Sequence, residues 1–130
     1  MATLLEGRRV LLVEDDEDGA MLMTMTLERE GAEVHHAASL AAALDALAGE
    51  GFEVLVADLE LPDGTGVDLL TRCREQRPEL ARRSLALTGH ADAATAARLV
   101  AAGFTEVLAK PAQPDALVAR IAHLVRVQLS

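Results

Sequence analysis

Aromatic residues are nearly absent from this chain: Phe52 and Phe104 stand alone, with no tryptophan and no tyrosine. Leucine, valine and alanine must fill the core, and stacking on nucleic-acid bases is not an expected mode of action. Cys73 is the only cysteine. That excludes an intramolecular disulfide, and it excludes a structural zinc site built on cysteines. No apolar run approaches the roughly 20 residues needed to span a bilayer. Met1 to Gly7 lacks the basic start and apolar stretch of a secretory signal, so the cytoplasm is the expected compartment. Basic residues are outnumbered, 12 against 21 acids, and the net charge is -9. This balance argues against non-specific binding to nucleic acid and to an anionic membrane.

What is present is an ordinary globular composition over 130 residues, 51% of them hydrophobic. One domain with a substantial core is expected, and no linker, repeat or low-complexity tract marks a second. Short apolar runs alternate with longer amphipathic ones. Strands are predicted over Arg9–Val13, Ala32–His36, Val54–Ala57, Ser84–Thr88 and Thr105–Ala109. Helices are predicted over Glu17–Glu30, from Ser39 to about Gly49-Glu50-Gly51, over Val67–Gln76, from Asp92 to Gly103, and from Pro114 to about Gln128. Gly31 suits a helix C-terminus, Ser39 and Asp92 suit N-caps, and Pro114 suits a first helical turn. Strands alternating with helices imply βαβ units and a parallel sheet covered on both faces.

Four polar positions fall at or just past predicted strand ends: Glu14-Asp15, Asp58, Thr88 and Lys110. In a parallel sheet those ends share one edge, where open α/β sheets place their ligand sites. Carboxylates brought together there repel unless a cation sits among them. Asp15 and Asp58 offer hard oxygen ligands suited to Mg²⁺. Thr88 offers a hydroxyl and Lys110 a compact positive charge. Together they suit a tetrahedral anionic phosphoryl group, with Asp58 as the nucleophile.

The motifs are Val10-Leu11-Leu12-Val13-Glu14-Asp15-Asp16, then Asp58-Leu59-Glu60-Leu61-Pro62-Asp63-Gly64-Thr65-Gly66, then Leu87-Thr88-Gly89, then Lys110-Pro111. In this order and spacing they resemble the receiver domain of the response-regulator family of two-component signalling, over about residues 8–127. The resemblance implies a doubly wound (βα)5 flavodoxin-like fold, with a five-stranded parallel sheet in the order 2-1-3-4-5. It implies Mg²⁺-dependent transfer of a phosphoryl group from a phosphohistidine, on a histidine kinase or histidine phosphotransferase, to Asp58. It further implies that Asp15 binds the metal directly and Glu14 through water. Glu60 would add its backbone carbonyl, and Thr88 and Lys110 would meet phosphoryl oxygens. Pro111 would follow a cis peptide. Glu60 and His90 occupy family positions that influence loss of the phosphoryl group. Such a domain is a switch for protein contacts with a downstream target, not a turnover enzyme. It works as a stand-alone regulator or as part of a hybrid kinase or larger regulator.

Other readings compete. Asp58-Leu59-Glu60 superficially resembles the metal motif of a phosphohydrolase or nuclease-like domain, but no further catalytic base is evident. A non-phosphorylated pseudo-receiver would not need so complete a site. Asp16, Glu17 and Asp18 read as acids favoured by a helix N-terminus. His35, His36 and His123 form no ligand-like set with Cys73. On the first helix, Leu22, Met23, Thr26 and Leu27 are expected to face the sheet, leaving Met21 and Met25 on the outer side as an adaptable partner patch. One departure from the family stands out. Val107 and Ala112 occupy positions where larger, often aromatic, residues couple the site to the far surface. Output is therefore expected to run through the segment from Gly89 to Asp92 or through docking at the site edge.

Overall fold

The computed structural model describes residues 4–49, 51–90 and 92–126. Positions Glu50, Ala91 and Gln128, which figure in the expectations above, lie outside them.

Five strands form one parallel sheet: β1 (Arg9–Val13), β2 (Glu33–Ala37), β3 (Val54–Asp58), β4 (Ser84–Thr88) and β5 (Glu106–Ala109). Their hydrogen-bonded order is β2-β1-β3-β4-β5. This is the doubly wound flavodoxin-like arrangement expected from the alternating pattern. The helices between and after the strands are α1 (Glu17–Arg29), α2 (Leu40–Gly49), α3 (Gly66–Gln76), α4 (Ala93–Ala102) and α5 (Pro114–Leu124). Among the described residues no helix is long and apolar enough to cross a membrane.

Strand periodicity divides the core into two layers. Val10 and Leu12 of β1, Val54 and Val56 of β3, and Leu85 and Leu87 of β4 pack against α1 and α5. Leu11, Val13, Leu55, Ala57 and Ala86 point the other way, toward α2, α3 and α4. Because both faces are covered, β3 and β4 are buried along their whole length. Each fully buried leucine contributes about 2 kcal/mol. Phe104 is fully buried with the second layer, where it partly offsets the shortage of aromatic volume.

Side-chain caps set where the site-bearing helices begin. Asp16 Oδ2 accepts from Gly19 N at 2.9 Å and opens α1. Thr65 and Asp68 form a reciprocal capping box at α3. Asp92 Oδ1 accepts from Thr95 N at 2.8 Å and opens α4, as its sequence position predicts. Gly31 and Gly103 take φ of 91° and 120° at the ends of α1 and α4, where a side chain would be strained.

The structure corrects several boundaries. The second strand starts at Glu33 rather than Ala32, because Ala32 N still bonds Leu27 O in closing α1. Thr105 precedes β5; its hydroxyl donates to Arg82 O at 2.7 Å. A one-turn helix, Pro78–Ala81, and a small hairpin, Glu60–Leu61 with Gly64–Thr65, were not predicted as elements. Leu22 is also corrected: it is 67% exposed. The buried stripe of α1 is Ala20, Met23 and Leu27, and at 100° per residue Leu22 lies well outside it.

Candidate functional site

Sheet register brings the site together. Val13 pairs with Ala57, so the next residues along, Glu14 and Asp58, sit level on adjacent strands. Thr88 pairs with Ala109, and Lys110 N continues that ladder by donating to Thr88 O at 2.8 Å. Glu14 N likewise donates to Ala37 O at 3.0 Å, beyond the end of β2. All the strand-end residues picked from the sequence thus reach one edge on backbone that is still hydrogen-bonded.

The side chains form a tight charge cluster. Lys110 Nζ lies 2.9 Å from Asp58 Oδ2 and 3.0 Å from Glu14 Oε2. Glu14 is 1% exposed and Asp58 7%. Glu14 Oε1 also accepts from Asp16 N at 3.1 Å. Asp15 is exposed, yet the carboxylate oxygens of Glu14, Asp15 and Asp58 lie within 4.8 Å of one another. Burial pushes the Glu14 carboxyl above its usual range. The Asp58 charge adds to that, while the Asp16 N–H and Lys110 oppose it. For Lys110, partial burial favours the neutral amine, but the bonds to Asp58 and Glu14 prevail and hold its pKa above the ordinary lysine value.

One ammonium serves two buried carboxylates, and an exposed third lies beside them. Glu14 Oε2 has the Lys110 charge beside it but accepts no hydrogen bond, although it is buried. A buried acceptor in that condition, among oxygen-only donors, fits a hard divalent cation such as Mg²⁺. Glu60 N donates to Asp58 Oδ1 at 3.3 Å, which turns the Glu60 backbone back over the carboxylate while its side chain stays in solvent. His90 N donates to Thr88 Oγ1 at 3.0 Å, which ties the hydroxyl to the loop. The Lys110-Pro111 peptide is cis, as the resemblance implies.

Some contributors were not picked out from the sequence. His36 Nε2 lies 2.6 Å from the Glu14 carbonyl and props the strand end that carries the acid pair. A Cβ on Gly66 would lie 2.6 Å from the Asp58 carbonyl oxygen, so only glycine lets α3 start this close to the carboxylate. Asp63 spans to α2, accepting from Leu40 N at 2.7 Å and Ala41 N at 2.9 Å. These two bonds hold its carboxyl below the usual range. The signals were present: glycine in Asp63-Gly64-Thr65-Gly66, and histidine at a strand end. Neither names its partner. Cys73 takes no part. It is buried in the second layer, and burial pushes its thiol up to about 11. Val107 and Ala112 pack as partly buried residues on opposite faces of the sheet. Met21 and Met25 are exposed, at 59% and 46%.

A family model described as the response regulator receiver domain matches residues 10–122. The photosynthetic apparatus regulatory protein RegA of Rhodovulum sulfidophilum is 33% identical over 116 residues, covering 89% of this chain and 62% of that protein. The response regulator receiver protein CpdR of Brucella abortus is 34% identical over 104 residues, covering 80% of this chain and 85% of that protein. The chain spans about three fifths of the RegA proteins it matches, 62%, 61% and 58% in three species. Among solved structures, a putative response regulator from Chloroflexus aurantiacus superposes with a TM-score of 0.84 at 30% identity, over 92% of this chain and 98% of that one. A Burkholderia pseudomallei response regulator protein, solved with a phosphorylated aspartic acid, calcium ion and citrate, gives 0.79 at 33% identity, over 92% and 71%.

Proposed function

Because the chain belongs to the response regulator receiver domain family of two-component signalling, we propose that Asp58 accepts a phosphoryl group from a phosphohistidine and thereby switches its protein contacts. The observation that supports this most directly is the Lys110 ammonium 2.9 Å from a buried Asp58 carboxylate that faces Glu14 and Asp15. The donors are a histidine kinase or histidine phosphotransferase, and the readout is a downstream protein. The domain spans the whole chain, either as a stand-alone regulator or as part of a larger one. It is a switch: the bond formed at Asp58 is the signal, not a released product.

Glu14, Asp15, Asp58 and the Glu60 backbone carbonyl would hold Mg²⁺, which when bound supplies positive charge against the transferred oxygens. The chain's own residues do the rest. An Asp58 carboxylate oxygen attacks phosphorus, and the phosphorus–nitrogen bond breaks with its electron pair left on the histidine. Lys110 moves from pairing two carboxylates to pairing one phosphoryl oxygen. The Thr88 hydroxyl turns its proton from the His90 carbonyl oxygen, 3.4 Å away, to another. Incubation with acetyl phosphate and Mg²⁺, followed by intact-mass measurement, tests the reading. Addition of one phosphoryl group is expected, and no addition would favour a pseudo-receiver.

Loss of the phosphoryl group needs water in line with the Asp58–phosphorus bond. The Glu60 side chain and His90 flank that approach from two loops. Replacing each by Ala is expected to change the dephosphorylation rate by about threefold to tenfold, a barrier change of about 0.7 to 1.4 kcal/mol. Unchanged rates in both would remove them from the mechanism.

Met21 and Met25 supply the partner patch on α1, and the exposed Leu22 extends it. Methionine adapts to varied apolar contacts, and apolar side chains clustered at one edge of the site suit a docking helix. A Met21→Glu/Met25→Glu variant should take phosphate normally from acetyl phosphate. Transfer from the cognate kinase should fall about tenfold or more. Normal transfer from that kinase would eliminate the patch.

A further inference from the structure

A cavity of about 730 Å³ opens over the sheet edge, and it is larger than the phosphoryl chemistry requires. A bound water needs about 10–15 Å³ of such space, so a phosphoryl group with a hydrated ion takes up only part of it. The remainder runs from Thr88 and His90 toward α4, where Thr95 and Arg98 line it. The cavity wall is otherwise dominated by carboxylates. Among the described residues Arg98 and Lys110 are its only lysine or arginine side chains, and Lys110 is engaged with Asp58 and Glu14.

Arg98 is held loosely. One guanidinium nitrogen lies 3.4 Å from Thr95 Oγ1, at the long limit of a hydrogen bond. Among the described residues it makes no ion pair within 4 Å. The Asp92 carboxylate, also on the wall, caps α4 and attracts the Arg98 charge without forming an ion pair with it. Arg98 therefore presents a planar fork of donors to the cavity at some remove from the reacting carboxylate. A fork of that kind matches the two oxygens of a carboxylate better than a single ammonium does.

We propose that Arg98 determines phosphodonor specificity by binding the carboxylate-type leaving group of an acyl phosphate whose phosphoryl end meets Asp58. This rests on the reading of Asp58 as the acceptor. In the transfer an Asp58 oxygen bonds to phosphorus. The bond from phosphorus to the acyl oxygen breaks, and its electron pair stays on that oxygen. The acyl group leaves as a carboxylate, and no proton moves. Negative charge grows on the leaving oxygen as the bond breaks, so the Arg98 contact strengthens toward the transition state.

The test compares two donors on the intact chain with Mg²⁺ at low ionic strength. Acetyl phosphate releases a carboxylate. Phosphoramidate delivers the same phosphoryl group but releases ammonia, which offers the guanidinium no anion. Arg98→Gln should lower the second-order rate with acetyl phosphate about fivefold, the effect of one exposed charge-assisted contact. With phosphoramidate the change should stay within about twofold. Arg98→Lys keeps the charge without the fork and should fall between. Added salt should shrink the acetyl phosphate effect. Equal slowing with both donors, or no slowing with either, overturns the role of Arg98. Labelling of Arg98→Gln by phosphoramidate would in both cases leave Asp58 standing as the acceptor. A wild-type chain inert to both donors would instead remove Asp58, and Arg98 with it.

Discussion

Asparagine in place of Asp58 is expected to abolish the mass gain from acetyl phosphate, a loss of more than about a thousandfold in rate. The side chain keeps its shape and still presents an oxygen to Glu60 N, which now donates to Asp58 Oδ1 at 3.3 Å. What disappears is the anionic oxygen that attacks phosphorus, because an amide is a far poorer nucleophile. The fold should survive. Asp58 closes a fully buried strand, but its neighbours across the sheet are held by backbone bonds that the change leaves untouched. Lys110 keeps Glu14 as a partner, and one of three crowded negative charges is removed. Intact mass after the incubation reads the effect directly, and unfolding by heat checks the fold. A mass gain that persists in Asp58→Asn would place the acceptor elsewhere, with Glu14 and Asp15 the other carboxylates of the cluster.

The strand-end residues were legible because their positions depend on local pattern and on one topological rule. An apolar run that stops at Glu14, Asp58, Thr88 or Lys110 announces a strand end, and parallel strands put those ends together. Nothing similar marks Arg98. It sits mid-helix in an alanine-rich stretch, and it faces the cavity only because of where Asp92 starts α4 and how that helix lies on the sheet. His36 supports the Glu14 carbonyl through a register that local sequence does not specify. Leu22 shows a different failure. Helical spacing groups it with Met23, Thr26 and Leu27, but the buried stripe is centred on Ala20, Met23 and Leu27 and leaves Leu22 outside. The short helix Pro78–Ala81 is legible only in hindsight, from Pro78 at its first position.

Glu14→Gln is expected to make the metal-free protein more stable while weakening its hold on Mg²⁺. Glu14 is nearly inaccessible, it faces Asp58, and it shares one ammonium with it. Burial, reinforced by the Asp58 charge, raises its pKa. The sign follows from linkage. A carboxyl whose pKa is higher folded than unfolded favours folding when protonated. That contribution is full below the unfolded value and is lost as pH rises through the folded one. At neutral pH the ionised side chain is therefore a liability that the metal relieves. Gln keeps an oxygen at the Oε1 position, which meets the Asp16 N–H at 3.1 Å and Lys110 at 3.3 Å, but carries no charge. Relief of one unfavourable charge typically yields about 1 kcal/mol, or roughly 4 °C in midpoint for a domain of this size. The advantage should shrink as pH falls through the raised folded value of Glu14 and be gone at the ordinary carboxyl value, where wild-type Glu14 is itself protonated. Mg²⁺ should reverse the ranking. At about a hundred times its dissociation constant an ion stabilises its site by about 2.7 kcal/mol, and loss of one acidic ligand should reduce affinity about tenfold or more. Melting curves of both proteins with and without Mg²⁺ decide the matter. A Gln variant that melts lower in metal-free buffer, or that gains as much from Mg²⁺ as wild type, would show that Glu14 is kept for packing and not for the cation.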